Sequence, residues 1–288
     1  MPFVQILITS IIACNQPFVV AIDSSAVGDG CMCLMINFLY KNRALPLVWC
    51  VVKQKKGHVP EDRHVQVLKE LQPLIPNDIE VIVLGDGEFD GIDWFSEIEN
   101  NNWKYVCRTA IDSVLIEDGE RFNFKRIGVS HEEYFAVPNV CFTHQEYGPV
   151  HAIYWHRRGY KNPLCLITNI ELVEEACWWY RKRFHIETCF SDKKSRGFNL
   201  HKSHLSDPKR IERLIIATAL AYIWIVFLGM LAITEKWYRE IHRPDRCDVS
   251  LFRLGLKLLT YLLNQTLPIP VDFKILSFNN PFDTKSVR

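Results

Sequence analysis

The chain has almost no net charge: 34 Lys and Arg stand against 33 Asp and Glu, a formal +1 over 288 residues. That excludes a protein that gathers a polyanion by its overall charge, so any phosphate-binding surface has to be local. It is local. From Tyr180 to Arg213 there are ten Lys and Arg against four Asp and Glu. The ten cysteines contain no Cys-x-x-Cys pair, only one Cys-x-Cys at Cys31 and Cys33. A zinc ribbon and a compact disulfide framework are thereby excluded, and reduced, mostly buried thiols of a cytosolic protein are the better account. No long stretch has the composition of disorder, since 48% hydrophobic with 23% charged residues is a globular balance. The length suits one large domain or two modest ones. No basic segment precedes the uncharged residues 1–22, which Pro2 and Pro17 interrupt, so a secretory signal fits poorly. Leu214–Ile233 is uncharged and long enough to span a bilayer. Thr218, Tyr222 and Gly229 dilute it, and Lys209, Arg210, Arg213, Glu235 and Lys236 crowd its ends. A buried core helix is the stronger reading, and no membrane partner is expected.

What is present reads as an α/β order. Phe18–Ile22 is an apolar, β-branched strand with Asp23 emerging at its end or edge. Leu34–Tyr40 and Leu45–Val52 are two more strands joined at Lys41, Asn42 and Arg43. Glu61–Ile75 is a helix opened by Pro60. Glu80–Leu84 is a short buried strand, and Gly85-Asp86-Gly87 turns sharply after it to leave Asp86 exposed. A helix over 91–100 and a strand over 103–109 complete this part. From 110 to 170, apolar runs between Gly, Pro and Asn turns indicate a β-rich insertion. Its Arg121, Lys125, Arg126, Arg157, Arg158 and Lys161, interleaved with Phe and Tyr, could line a DNA groove or be solvated faces of half-buried strands. Trp155 could stack on an unpaired base, but core packing is the safer reading.

The most informative stretch is Tyr180–Lys194, YRKRFHIETCFSDKK. On one helix, ended by Gly197, Tyr180, Arg183, Glu187 and Lys194 project to roughly 0°, −60°, −20° and −40°. One stripe therefore carries a phenol, a guanidinium, a carboxylate and an ammonium. That set suits a phosphodiester substrate, with the acid on a metal ion and the bases on phosphate oxygens. A solvated face with paired charges is the plainer alternative. The unbroken spacing Tyr-x2-Arg-x3-Glu-x6-Lys resembles the signature of insertion-sequence DDE transposases of the insertion-sequence-four type.

The resemblance implies a ribonuclease-H-like core with the β-rich insertion between its second and third acids. It implies Asp23, Asp86 and Glu187 as the metal-holding catalytic acids, with Tyr180, Arg183 and Lys194 on phosphates. Asp29 competes with Asp23, and Glu88 or Asp90 with Asp86; Asp86 and Phe89 match the family's Asp-x-x-Phe, whereas Ser24-Ser25 departs mildly from its Asp-Gly-Thr-like string. The implied cofactor is a pair of Mg²⁺ ions, roughly 3.5–4 Å apart, for which Mn²⁺ substitutes. The implied partners are double-stranded DNA, as element ends and target, and a second copy of the chain in a homodimer, in a bacterial cytoplasm at the nucleoid. On this basis 1–109 opens the core, 110–170 is the insertion, 171–240 completes the core and 241–288 is a C-terminal tail. The end-recognising region that precedes the first acid in similar transposases is absent from this sequence, so a truncated copy is expected. Two other readings stay open: a degenerate remnant that binds DNA without cutting, and a structure-selective nuclease of the same fold.

Overall fold

Apolar alternation and β-branching do make a strand at Phe18, but it does not stop at Asp23. In the computed structural model, which describes residues 2–13, 17–55, 57–127, 133–193, 197–243 and 249–276, strand β1 runs Phe18–Val27. Ser24, Ser25 and Ala26 continue its antiparallel ladder with β2, Cys31–Tyr40, so Asp23, opposite Met35, lies inside the strand. β3, Arg43–Lys53, pairs antiparallel with β2. β4, Val81–Gly85, lies parallel to β1, and β5, Lys104–Thr109, parallel to β4. Helix α2, Glu61–Leu71, leads into β4, and α3, Ile92–Asn100, makes the crossover to β5. The order β3-β2-β1-β4-β5 is the ribonuclease-H-like arrangement.

Residues 110–170 are β-rich as expected, and their strands extend the same sheet. β6 (Leu115–Glu117), β7 (Glu120–Phe122), β8 (Tyr134–Phe142), β9 (Tyr147–Trp155) and β10 (Leu164–Thr168) continue it. The order runs on from β5 as β10-β9-β8-β6-β7, giving ten strands among the described residues. Ahead of the sheet, the uncharged N-terminal run forms α1, Pro2–Ile12, which buries Val4, Leu7, Ile8 and Ile11 at helical spacing.

The single helix expected to carry Tyr180–Lys194 is two: α4, Val173–Lys182, and α5, His185–Lys193. Between them the chain tightens into i→i+3 bonds, from Arg183 N–H to the Tyr180 carbonyl (3.1 Å) and from Ile186 N–H to the Arg183 carbonyl (3.0 Å). The break has a packing reason: α4 lies against β5, while α5 lies against β1, β2 and β3. Gly197, expected to end the helix because glycine tolerates a left-handed cap, does not adopt that conformation. It is needed because a Cβ there would lie 2.5 Å from the Asp192 carbonyl oxygen.

α6, Pro208–Thr234, opens at Pro208 with the Asp207 side chain accepting the Arg210 N–H. Of its most apolar window 61% is buried. It packs on β3 and on α8, Leu251–Asn264, which follows the short α7, Tyr238–Ile241. Two glycines set that closeness: a Cβ on Gly255 would stand 1.8 Å from the Ile225 carbonyl oxygen, and one on Gly229 2.0 Å from that of Leu251. Of the eight described cysteines all but Cys141 are buried. Burial pushes the Cys50 thiol up to about 11, where it is inert as a nucleophile.

Candidate active site

The two aspartates are neighbours because of strand register. Every β1–β4 pair, from Phe18↔Val81 to Ala21↔Leu84, differs by 63 positions, and so do Asp23 and Asp86. Two residues past the last pair, that register brings both to the same level of the sheet, although the ladder has ended and Asp86 has already left β4. Asp86 leaves β4 in a turn that its own side chain closes: Oδ1 accepts the Glu88 N–H at 3.0 Å, and the Asp86 carbonyl accepts the Phe89 N–H. Phe89 is fully buried beneath it. Gly85 serves this turn by its size, because a Cβ would meet Phe89 Cβ at 2.7 Å and Cys107 Sγ at 2.9 Å.

Arg183, in the break between α4 and α5, reaches all three acids. Its Nη1 lies 4.0 Å from Asp23 Oδ2 and 4.0 Å from Asp86 Oδ2, and its Nη2 lies 3.6 Å from Glu187 Oε1. The two aspartate oxygens can therefore be no further apart than twice the first distance. Nη1 is buried and makes no hydrogen bond. Its contacts with Asp23 and Asp86 are therefore electrostatic, at the outer limit of an ion pair. Burial and the neighbouring Asp86 carboxylate push Asp23 up to about 7, against the pull of Arg183 and of the Ser24 N–H that donates to its Oδ1 at 2.7 Å.

Tyr180 is buried at the end of α4, and that burial pushes its phenol up to about 12. It lies within the core, where Arg183 stabilises the phenolate form. Lys194 falls outside the described residues. Among the competing acids, Asp90 is bonded to the Thr109 hydroxyl (2.6 Å) and burial raises its carboxyl. Asp29 lies in the turn beyond β1, its N–H donating to the Leu205 carbonyl. Trp155 is buried, with the Arg181 and Arg157 guanidiniums over its ring at 5.2 and 5.8 Å. Glu88 is the surprise. Rather than replacing Asp86 it accepts the Ser24 hydroxyl at 2.7 Å and the Val59 N–H at 2.6 Å. Burial would raise its carboxyl, but those contacts and His64 outweigh it and lower it. No periodicity announces such a contact, because its partners lie on β1 and ahead of α2.

Among the described residues no three acid, His or Cys groups stand close enough to share one ion as they are placed. Instead the three carboxyl groups surround a guanidinium that offsets part of their charge. The donor set is hard oxygen throughout, which fits a divalent cation of the Mg²⁺ kind. The orphaned Nη1 marks where positive charge is already required.

The high proton affinity of Asp23 has a pH consequence. Its folded value is raised above the ordinary 3.8, so protonation stabilises the metal-free fold. That contribution is fully present below the ordinary value and is lost as pH rises through about 7. In thermal melts of metal-free protein, Asp23→Asn should remove this component of the pH dependence between about 4 and 7. An unchanged profile would show that Asp23 is not the group concerned.

A ribonuclease-H-like sheet thus carries one aspartate on β1 and another in the turn just beyond the parallel β4, with a glutamate on α5 reached by the same guanidinium. The chain belongs to the transposase DDE domain family, whose sequence profile matches residues 19–224, from β1 into α6. No curated protein matches it. Among solved structures, the piggyBac transposase synaptic complex with hairpin DNA is similar at 11% identity over 88% of this chain and 55% of that one, with a TM-score of 0.46. Endonuclease V of Ciona intestinalis, in complex with a 24mer DNA containing an inosine followed by a ribo-adenosine, is similar at 14% identity over 69% and 87%, with a TM-score of 0.36. Human endonuclease V is similar at 14% identity over 70% and 83%, with a TM-score of 0.32. The chain thus spans about half the length of the piggyBac transposase chain that it matches.

Proposed function

We propose that the chain cleaves DNA phosphodiesters and transfers the freed ends, as an insertion-sequence transposase with the Tyr-x2-Arg-x3-Glu-x6-Lys signature. The observation that carries this reading is the meeting of Asp23, Asp86 and Glu187 around the Arg183 guanidinium. A pair of Mg²⁺ ions, or Mn²⁺ in their place, supplies an activated water and charge stabilisation when bound. Asp23, Asp86 and Glu187 are the residues that would hold them. Asp23 gives up its proton to do so. Arg183 offsets part of the acids' charge in the free protein and is the cation placed for a phosphate oxygen beside the scissile bond. Tyr180 backs that guanidinium from the core, and Lys194 supplies a second cation. Strand hydrolysis at the element end, then attack by the 3′-hydroxyl on the opposite strand or on target DNA, completes a cut-and-paste cycle. Such a cycle fits a homodimer on paired ends, working in the cytoplasm at the nucleoid. The exposed Arg121, Lys125, Arg126, Arg158 and Lys161 suit a duplex laid along the extended sheet.

The test is incubation with supercoiled plasmid at low salt. Metal-dependent nicking that weakens steeply with salt supports the reading. Folded protein that binds Mn²⁺ and does not nick overturns it in favour of a DNA-binding remnant. The guanidinium seated among the acids is the observation that favours that second reading. Arg183→Gln separates its two duties. Metal affinity of the DNA-free protein should tighten severalfold as a competing cation is removed, while nicking falls at least tenfold. Weakened metal binding would contradict the role assigned to Arg183.

A further inference from the structure

The most connected side chain near the acids is Glu88, and nothing so far assigns it a task. It lies on the turn after β4, and its backbone N–H holds Asp86 Oδ1 at 3.0 Å. Its Oε2 accepts the hydroxyl of Ser24, the residue next to Asp23 on β1, at 2.7 Å. Its Oε1 accepts the N–H of Val59, just ahead of α2, at 2.6 Å. Two histidines flank it: His64 Nε2 at 3.7 Å from Oε1, and the exposed His58 Nδ1 at 3.9 Å from Oε2. His64 is buried, its ring packed on Phe89 at 4.7 Å, and its Nε2 makes no hydrogen bond. Phe89 thus holds an imidazole beside the Glu88 carboxylate, whose side chain is only 10% exposed.

We propose that Glu88 is a positioning residue that sets the separation of Asp23 and Asp86, and so the affinity of the acid pair for divalent metal. The reasoning is geometric. Strand pairing between β1 and β4 stops at Ala21 and Leu84, so the backbone ladder does not hold the two aspartates at their own level. Glu88 spans that gap, with its main chain on one aspartate and its carboxylate on the neighbour of the other. Both of its oxygens are occupied by protein donors, which is the disposition of a brace rather than of a metal ligand. Supporting contacts of this kind typically change metal affinity or activity by about 10–100-fold when removed.

This rests on the proposed metal-dependent reaction, and its test reads metal binding apart from catalysis. Mn²⁺ binding to the DNA-free full chain is measured by calorimetry, beside the Mn²⁺ dependence of plasmid nicking. Glu88→Ala should weaken Mn²⁺ binding about tenfold and raise half-saturating Mn²⁺ equally, with a smaller fall in rate at saturation. Glu88→Gln should recover most of the affinity, because its amide oxygen can accept from Val59 while its amide nitrogen donates to Ser24. Equal loss in both variants overturns the proposal, since charge rather than bracing would then be at work. Wild-type affinity in Glu88→Ala also overturns it, as does a wild-type chain that binds no Mn²⁺. If Glu88→Ala does not fold, Ser24→Ala decides: a severalfold loss of affinity is expected, and no change overturns the proposal. A wild-type chain that binds Mn²⁺ in a Glu88-dependent way without nicking would refute the proposed reaction and leave this role standing.

Discussion

Glu187→Gln should abolish metal-dependent nicking while leaving the chain folded. Glu187 stands in the first turn of α5, about half exposed, with Oε1 3.6 Å from Arg183 Nη2. Among the described residues its side-chain ion pair is with Arg183 and its carboxylate is half exposed, so its removal acts on chemistry rather than folding. The amide keeps the shape and removes the charge that would hold a divalent ion. The expected loss is about 4 kcal/mol of transition-state stabilisation, on the order of a thousandfold in rate. Its melting temperature without metal should stay within about 2 °C of the wild type, as for a surface substitution. Plasmid nicking by single-turnover kinetics measures the first quantity and a thermal melt the second. Residual nicking within tenfold of wild type would remove Glu187 from the reaction.

The largest effect on stability is expected at Asp192. Its Oδ2 lies 2.9 Å from Arg43 Nη1, with side-chain exposures of 5% and 13%, and it accepts the Tyr222 hydroxyl at 3.5 Å. This network ties the end of α5 to the start of β3 and to α6. Asp192→Ala leaves the Arg43 guanidinium buried without its counter-charge, which costs about 3–5 kcal/mol. For a chain of this size that lowers the melting temperature by roughly 10 °C. Arg43→Met with Asp192→Leu should recover most of the loss, because a packed apolar pair needs no compensation. Urea denaturation checks both. A loss below about 1 kcal/mol for Asp192→Ala would show that the pair is not a brace for α5. The same variant should also blunt nicking, since Glu187 rides on the helix that Asp192 anchors.

Much of the fold was legible because it is written in local pattern. The apolar runs at Phe18, Leu34, Leu45 and Val81 are strands for the reason their composition implies, and Pro60 and Pro208 mark the helix starts they suit. Leu214–Ile233 reads as a core helix from its dilution by Thr218, Tyr222 and Gly229, and it packs as one. Elsewhere local pattern misled. A helical projection treats Tyr180 to Lys194 as one rigid cylinder, yet α4 and α5 answer to different strands and the chain breaks at Arg183. Gly85 and Gly197 looked like conformational needs and are steric ones, visible only once Phe89, Cys107 and the Asp192 carbonyl are in place.

By itself the sequence determined which residues carry charge, which runs are buried and how Tyr180, Arg183 and Glu187 are spaced. Those are properties of neighbours along the chain. Tertiary structure alone decided that the 63-residue offset of a parallel strand pair sets Asp23 beside Asp86. It also decided that Arg183 turns inward among three acids, and that Glu88 reaches across to Ser24. Each of these depends on which strands pair and in what register. That choice is made by the summed burial of the whole sheet, which no single stretch of sequence records.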